Sequence, residues 1–251
     1  MKKLISIILF ALAAAVCCGQ GAATLAQEGD SLYRLGDYQS AAERYEAALA
    51  TGNGSAEVYY NLGNAYYRAE QTGLAILNYE RALRLRPTMS DARENLEMAY
   101  GRTTDRIAVL PKWFAARWID ILCTRVTPAG WRTVWLVLLA LLAAAVVGVM
   151  AGRGLRLRRW SLAGGVVALA LLVCCTALLI STTKRWNAHA DAIVMHESVA
   201  IKGSPEQRSV DKMILHEGTR VHISESLQGW EKITIADGTT GWCPTEAIER
   251  I

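Results

Sequence analysis

Cysteine and histidine are the side chains of this chain best suited to nucleophilic, redox or metal chemistry. Four of the six Cys form adjacent pairs inside apolar runs, Cys17–Cys18 and Cys174–Cys175, whereas Cys123 and Cys243 stand far apart. This spacing predicts neither a disulfide framework nor a zinc site. The histidines are His189, His196, His216 and His222. We expect them to be solvated, and a metal cluster of the last three is the alternative.

Known catalytic signatures are missing from the sequence. It contains no G-x-x-x-x-G-K, H-E-x-x-H, C-x-x-C or G-x-S-x-G pattern. Cys243 has no evident His–Asp partner, so we expect a buried thiol rather than a nucleophile. The sequence therefore predicts a protein that is not an enzyme and holds no cofactor or metal. An unrecognised site at Cys243 or at the histidines is the alternative.

The composition indicates that part of the chain lies in lipid. Of its 251 residues, 52% are hydrophobic and only 20% are charged, against about 25% charged in ordinary soluble domains. Residues 20–105 carry 8 basic and 12 acidic side chains, residues 106–189 carry 11 and 1, and residues 190–251 carry 6 and 10. Basic charge beside apolar runs favours contact with a lipid bilayer over contact with nucleic acid.

The N-terminus has the pattern of an export signal. Lys2 and Lys3 precede an uncharged run that continues to Cys18, which predicts a signal peptide over residues 1–19. Cleavage before Gln20 is favoured over cleavage before Gln27. Lipidation of Cys17 or Cys18 is a further alternative.

Two later uncharged runs predict a transmembrane hairpin. Residues 133–152 and 160–183 are long enough to span a bilayer. The loop between them, residues 153–159, contains four Arg and is placed in the cytoplasm by the positive-inside rule. The extramembrane parts then lie on the extracytoplasmic side of the cytoplasmic membrane. Gly148 and Gly152 favour packing within the hairpin over dimerisation.

Residues 107–126 precede the first span and predict an interfacial helix. Pro111 would lie in its first turn, and Trp113, Phe114, Trp118, Ile121 and Leu122 would form one apolar face, opposed by Arg117, Asp120 and Thr124. Packing of this helix on the preceding domain is an equal alternative.

The first extramembrane part, residues 20–104, repeats with a period of 34 residues. Gly29 recurs as Gly63, Ala41 as Ala75, Tyr45 as Tyr79, Ala48 as Ala82 and Leu49 as Leu83. This pattern resembles the tetratricopeptide repeat (TPR) family. It predicts repeats over 22–55 and 56–89, followed by a capping helix over 90–101.

The TPR resemblance implies a concave protein-binding face on the first helix of each repeat. Its inward positions are Asp30, Tyr33, Arg34, Tyr60, Asn64, Tyr67 and Arg68. A carboxylate clamp is not expected, because Tyr60 and Met98 stand where basic residues would be needed. Asn61 and Asn95 are expected to form structural hydrogen bonds between helices.

Residues 190–251 contain short β-rich runs separated by Gly turns, which predicts a small barrel. The run from Leu215 to Pro244 resembles the bacterial SH3 family. Trp230 and Pro244 match two positions of its binding groove, but Ala247 stands where a groove Tyr is expected. Recognition of proline-rich peptides is therefore not expected, whereas peptidoglycan or an envelope protein remains an alternative ligand.

The fold class expected for the whole chain is multidomain: an α-helical TPR solenoid, a two-helix transmembrane hairpin and a small all-β SH3-like barrel. This order resembles the bacterial Bat aerotolerance proteins, with further similarity over residues 105–118 and 191–202. The resemblance implies a membrane-anchored scaffold that works with von Willebrand factor A-domain Bat proteins in oxidative-stress tolerance. The competing hypothesis is a cell-wall-binding envelope protein.

Overall fold

The computed structural model describes residues 21–52, 54–107, 113–152, 154–188 and 190–251. These residues form two compact units. One combines the residues before 111 with those after 189, and the other contains the residues between them. The predicted signal peptide, residues 1–19, lies outside the described residues.

The first unit begins with five helices. They are α1 (residues 21–35), α2 (Tyr38–Ala50), α3 (Ala56–Arg68), α4 (Thr72–Leu85) and α5 (Ser90–Tyr100). Gly36, with φ +85°, follows α1. The Asp37 carboxylate caps α2 by accepting the Ser40 N–H at 3.1 Å, and the Ser55 hydroxyl caps α3 by accepting the Val58 N–H at 3.3 Å. The pairs α1–α2 and α3–α4 form two helical hairpins, and α5 follows the second of them.

A contact between glycine and tyrosine closes each helical hairpin. A Cβ added at Gly29 would lie 2.7 Å from Cε1 of Tyr45, and one added at Gly63 would lie 2.7 Å from Cδ1 of Tyr79. Both tyrosine side chains are buried. Because a larger residue at either glycine would push the helices apart, the repeated pair sets the close approach between them.

The same unit ends in seven strands: β1 (Asp191–Val194), β2 (Ser198–Lys202), β3 (Asp211–His216), β4 (Arg220–Leu227), β5 (Trp230–Thr234), β6 (Thr240–Pro244) and β7 (Ile248–Arg250). They form one antiparallel sheet in the order β3-β2-β6-β5-β4-β1-β7. Within residues 190–251 no ladder joins β3 to β7, so the closed barrel that the sequence predicts is not confirmed. The sheet is open between its first and last strands.

Period-two alternation and turn chemistry explain the strands. Val221 and Ile223 are buried while His222 between them is exposed, as expected from the sequence. Gln228 and Gly229 form the two-residue β4–β5 turn with φ values of 46° and 85°. β7 was not expected, because three residues are too few to show an alternating pattern. A 3₁₀ turn, Thr245–Ala247, precedes it.

The second unit contains α6 (Phe114–Arg125), α7 (Pro128–Ala151) and α8 (Leu155–Ala188). Two stretches, Pro128–Ala151 and Leu155–Lys184, are long and apolar enough to cross a membrane. The connection between α7 and α8 is shorter than the predicted loop 153–159. Arg156, Arg158 and Arg159 lie within α8, because arginine is a good helix former and a helix can continue beyond the apolar segment.

Small residues line the contact between α7 and α8. A Cβ added at Gly148 would collide with the Ser161 hydroxyl, and one added at Gly165 would lie 3.3 Å from the Ala145 Cβ. Gly148 therefore supports packing within the hairpin, which is the interpretation favoured from the sequence.

Candidate functional site

A ladder of hydrogen bonds joins the first helix of each repeat to its neighbours. Oδ1 of Asp30 on α1 accepts the Tyr45 hydroxyl at 2.7 Å and the Asn61 amide at 3.2 Å. Oδ1 of Asn64, thirty-four residues further on, accepts the Tyr79 hydroxyl and the Asn95 amide, both at 2.8 Å. The ladder runs from α1 through α3 to α5, so Asn61 and Asn95 bond between helices as expected. Asp30 and Asn64, expected to face a ligand, also hold the repeats together.

Burial keeps the tyrosine hydroxyls of this ladder protonated. Desolvation, followed by the hydrogen bond to Asp30 and the charge of that carboxylate, raises the pKa of Tyr45 far above its ordinary value. Desolvation likewise raises the pKa of Tyr79. Both tyrosines therefore remain hydrogen-bond donors throughout the physiological range.

A cavity of about 210 Å³ lies beside the part of the ladder formed by Asp30 and Tyr45. Its lining residues are Asp30, Tyr33, Arg34, Tyr45, Asn61 and Asn64. Four of these six were predicted from the sequence as concave-face positions. A typical pocket for a small-molecule ligand is roughly 300–1,000 Å³, so this cavity is better matched to a single side chain of a protein partner. Its polar lining would favour a side chain that forms hydrogen bonds.

The other three predicted concave positions are engaged in aromatic and cationic contacts. The Arg68 guanidinium lies 4.8 Å from the centroid of the Tyr38 ring and donates to its hydroxyl at 2.7 Å. The Arg102 guanidinium lies 3.7 Å from the centroid of the Tyr67 ring. Tyr60 lies beside Tyr79, with ring centroids 6.1 Å apart. These three side chains are not among the residues that line the cavity.

Sequence reasoning missed the roles of Tyr38, Tyr45 and Arg102 on this face. The glycine–tyrosine period identified Tyr45 only as a packing residue. Arg102 lies after α5, beyond the two predicted repeats, but it stands 34 residues after Arg68 and 68 after Arg34, so the repeat period itself was a signal that could have identified it.

Comparison with known families agrees with the helical geometry. Residues 27–90 match the tetratricopeptide repeat family. The match begins within α1, includes α2, α3 and α4, and ends where α5 begins, so the chain contains TPR repeats. No curated protein gives a significant match to the sequence.

The TPR helices and the sheet are joined by a network of ionic hydrogen bonds. Oε1 of Glu80 on α4 accepts the Tyr100 hydroxyl at 3.0 Å and Nη1 of Arg220 on β4 at 2.8 Å. Nη2 of Arg220 also donates to Asp191 at 2.8 Å, and His222 contacts the other oxygen of that carboxylate at 2.8 Å. Arg220 therefore bridges a carboxylate of the TPR helices and a carboxylate of the sheet.

Glu217, on the turn between β3 and β4, caps the N-terminus of α4. Gln71, the residue before α4, supplies no side-chain cap. Instead, Oε1 of Glu217 accepts the Gly73 N–H at 2.7 Å, which also places a negative charge at the positive end of the helix dipole. A Cβ added at Gly73 would lie 2.6 Å from Cγ of Glu217, so glycine permits this approach.

Further contacts extend the interface along α4. Arg81 donates to Glu249 at 2.9 Å and to the Arg250 carbonyl at 2.8 Å, and Arg84 donates to the Ile251 carbonyl. Ile193 of β1 is fully buried in the same apolar cluster as the TPR core. The sheet therefore packs against the second helix of the second repeat and shares its core.

The sheet also binds the segments of the chain that precede and follow the second unit. The carboxylate of Asp105 accepts the His216 backbone N–H at 2.8 Å and the Thr219 hydroxyl at 2.7 Å, and Oδ1 lies 2.7 Å from Nδ1 of His216. The Ala190 carbonyl accepts the Ile223 N–H. Both connecting segments are thus held by residues 216–223.

Hydrogen bonding stabilises the charged form of Asp105. Partial burial alone would raise its pKa, but the bonds from Thr219 and His216 outweigh burial and lower the pKa below its ordinary value. Asp191 behaves in the same way, because the Arg220 charge and the bond to His222 outweigh desolvation. Both carboxylates favour the folded state when ionised.

The two predicted groove residues of the sheet are brought together. Trp230 on β5 lies opposite Pro244 on β6 in the strand register, and Trp230 is half-buried.

Cys243 is fully buried, and desolvation followed by the charge of Glu231 raises its pKa to about 12. Its thiol is therefore protonated at neutral pH.

Among the described residues, His196, His216 and His222 lie in different surroundings. His216 lies on Asp105 and His222 lies on Asp191, while His196 is exposed. In the part of the chain that the structure describes, no three His, Cys, Asp or Glu side chains are grouped as metal ligands.

Proposed function

We propose that this protein is a non-enzymatic adaptor, anchored in a bacterial cytoplasmic membrane, whose TPR helices bind a protein partner on the extracytoplasmic side. The observation that carries the proposal is the division of the TPR surface. The hydrogen bonds to the sheet run from α4 and from the segment after α5, whereas the cavity lies on the face formed by α1 and α3. TPR helices commonly use such a face to bind proteins.

The partner we propose is a von Willebrand factor A-domain Bat protein. The support is the resemblance of this chain to BatE, the member of the Bat aerotolerance proteins with TPR and SH3 modules. The order of modules carries the resemblance, together with the segments at residues 105–118 and 191–202. The TPR match at residues 27–90 is in line with it.

Arg34 offers the sharpest test of the binding face. It lines the cavity, its side chain is exposed, and its guanidinium donates only to Ser31, at 3.3 Å, among the contacts of the described residues. Arg44 on α2 is a matched control, because it is also exposed and makes one weak contact, 3.7 Å to Glu28.

The assay is affinity purification of the full-length protein from detergent extracts, with quantitative mass spectrometry of bound membrane proteins. An arginine at a binding hot spot contributes about 1–2 kcal/mol, so Arg34→Ala should weaken partner binding roughly five- to thirtyfold. Arg44→Ala should leave it unchanged. Equal recovery of an A-domain protein with both variants would place the binding surface elsewhere.

The proposed topology places both extramembrane parts on one side of the membrane. Among the described residues, two helices are apolar and long enough to cross a membrane, and residues before and after them belong to one compact unit. The arginines in the first turns of α8 support a cytoplasmic location for that end of the hairpin. A phosphatase fused after residue 110 or after residue 251 should be active, and one inserted between 153 and 159 should be inactive.

A cross-link tests the shared compartment independently. Cβ of a residue at 73 lies near the Cγ position of residue 217, which is within the reach of a disulfide. The pair Gly73→Cys and Glu217→Cys should therefore form a cross-link after mild oxidation of intact membranes. The pair Gly21→Cys and Glu217→Cys is the control and should not. A failure of both pairs would contradict the docked arrangement.

The absence of catalytic activity is part of the proposal. The buried, protonated Cys243 thiol is poorly suited to nucleophilic attack, which weighs against the one cysteine singled out from the sequence. Cys243→Ala should leave every measurable activity of the purified complex unchanged. Loss of a hydrolase or redox activity in this variant would reopen the enzyme hypothesis.

A second candidate function is binding of peptidoglycan by the sheet. The opposition of Trp230 and Pro244 across β5 and β6 favours it, and the short strands with tight turns support an SH3-like assignment. Trp230→Ala should then reduce sedimentation of the full-length protein with sacculi. Ile214→Ala, which changes an exposed apolar residue on β3, away from β5, is the control.

A further inference from the structure

Helix α6 carries an exposed aromatic stripe. Phe114, Trp118 and Leu122 recur every four residues on one side of the helix, and Trp113 precedes them. Their exposed fractions are 65%, 64%, 39% and 71%. A contiguous apolar surface of this kind is unusual on a soluble protein and marks a site of contact with another molecule or a membrane.

The stripe is not the face that α6 uses to pack within its own unit. Cys123 is buried, and Ile121 is partly buried. α6 contacts α8 and belongs to the same compact unit as the two apolar helices. An exposed apolar stripe in a unit whose other helices are apolar enough to cross a membrane favours the interfacial interpretation of the sequence.

The chain continues from the stripe into the apolar surface of α7. Only Val126 and Thr127 separate α6 from α7, where the Thr127 hydroxyl caps the new helix by accepting the Gly130 N–H at 3.3 Å. Val134, Leu136 and Val137 on α7 are then exposed and apolar. The surface that a bilayer would cover on α7 therefore begins within three turns of the end of α6.

The residue types in the stripe favour contact with the lipid headgroup region over contact with a groove on another protein. Tryptophan concentrates at membrane–water interfaces, because its ring is apolar and its indole N–H remains hydrated. Two of the four side chains are tryptophan, and Arg125 is exposed at the C-terminal end of the helix. A helix with an aromatic face and a polar face lies in the plane of the interface rather than across the bilayer.

We propose that α6 lies in the extracytoplasmic membrane–water interface, with Trp113, Phe114, Trp118 and Leu122 inserted among the lipid headgroups and upper acyl chains. The inference rests on the membrane anchoring proposed above. It adds a second element of membrane attachment next to the hairpin, at the point where the chain enters α7.

Tryptophan quenching by brominated lipids tests the depth of this helix. Full-length protein is placed in lipid nanodiscs, one copy per disc, made with phosphatidylcholine brominated near the headgroup or near the end of the acyl chain. The contribution of one tryptophan is the difference between the wild type and a Trp→Phe variant, which keeps an aromatic side chain. Trp113→Phe and Trp118→Phe report on α6, Trp135→Phe on α7 and Trp230→Phe on the sheet.

The expected result is a loss of Trp113 and Trp118 emission with the shallow bromine and a smaller loss with the deep one. Trp135 should be quenched, and Trp230 should not. Quenching of Trp135 without quenching of Trp118 would overturn the inference but keep the membrane anchor. The stripe would then be a contact surface for a protein partner. Equal quenching of Trp118 at both depths would overturn the in-plane orientation. Absence of quenching at Trp135 would instead refute the anchor itself.

Discussion

Replacing Glu80 by Gln should loosen the contact between the TPR helices and the sheet. Glu80 is nearly buried, and Oε1 accepts both the Tyr100 hydroxyl and the Arg220 guanidinium. Gln retains an oxygen that can accept the tyrosine, but it loses the negative charge opposite Arg220. Hydrogen bonds to charged groups contribute about 1.5–3 kcal/mol. Arg220 is 47% exposed and keeps Asp191 as a partner, so solvent screening reduces the expected loss to about 1–2 kcal/mol.

The repeat supplies a matched control at Glu46. This residue precedes Glu80 by one repeat, and its carboxylate accepts the Tyr66 hydroxyl just as Glu80 accepts that of Tyr100. Glu46 is exposed and forms no ion pair with the sheet among the described residues. Glu46→Gln should therefore change stability by no more than about 0.5 kcal/mol.

Native-state hydrogen exchange on the full-length protein measures the loss of stability at the contact between the TPR helices and the sheet. Amides of β1, which packs against α4, should exchange about five- to thirtyfold faster in Glu80→Gln, the rate equivalent of 1–2 kcal/mol. Combining Glu80→Gln with Arg220→Gln should give less than the sum of the single effects. Additive effects, or equal acceleration in Glu80→Gln and Glu46→Gln, would refute the assignment of Arg220 as the bridge.

Three further perturbations have expected outcomes. Gly63→Ala should lower stability by about 1–3 kcal/mol in denaturant unfolding, because its Cβ would meet a buried tyrosine ring; Gly21→Ala, with open space around it, should be neutral or stabilising. Glu217→Ala should cost about 0.5–2 kcal/mol, seen as faster amide exchange in the first turn of α4. Because the folded-state pKa of Asp105 is lowered, its contribution is complete above the ordinary pKa of about 4 and is lost as pH falls through the folded value. Acid unfolding of Asp105→Asn, monitored by circular dichroism, should therefore be less steep than that of the wild type.

The attachment of both connecting segments to the sheet bears on how the adaptor would act. Asp105 and Ala190 lie at the ends of the two segments that lead to the second unit, and both bond to residues 216–223. A partner bound to the TPR face would therefore act on a body that includes the sheet and both connections. Under the adaptor proposal, the TPR repeats and the sheet would move as one piece rather than as two independent modules.

The helical repeats were predictable because the residues that pack together in each hairpin lie close to one another in the sequence. Gly29, Tyr45 and their equivalents 34 residues later occupy one hairpin each, so spacing along the chain is sufficient to reveal the packing. The same holds for the alternation around His222 and for the length of the apolar helices. Boundaries were less accurate at the α7–α8 connection, since arginine is compatible with either a loop or a helix.

The candidate site was predicted only in part. The repeat period identified Asp30 and Asn64, but not that each would accept two hydrogen bonds from other helices. The repeat pattern predicts Tyr67 and Arg68 on the protein-binding face, and in the structure both contact side chains within the TPR part. The polar atoms that stay available to a partner are those not already bonded to other helices. The residue spacing within one helix does not reveal those bonds.

By itself, the sequence determined the TPR hairpins, the short strands and the two apolar helices, because periodicity and turn chemistry act over a few residues. Only the tertiary structure decided that Glu80, Asp105 and Gly73 meet Arg220, His216 and Glu217. These partners are more than one hundred positions apart in the sequence, before and after the second unit. No local pattern links such residues, so the docking of the sheet on α4 became visible only in the folded chain.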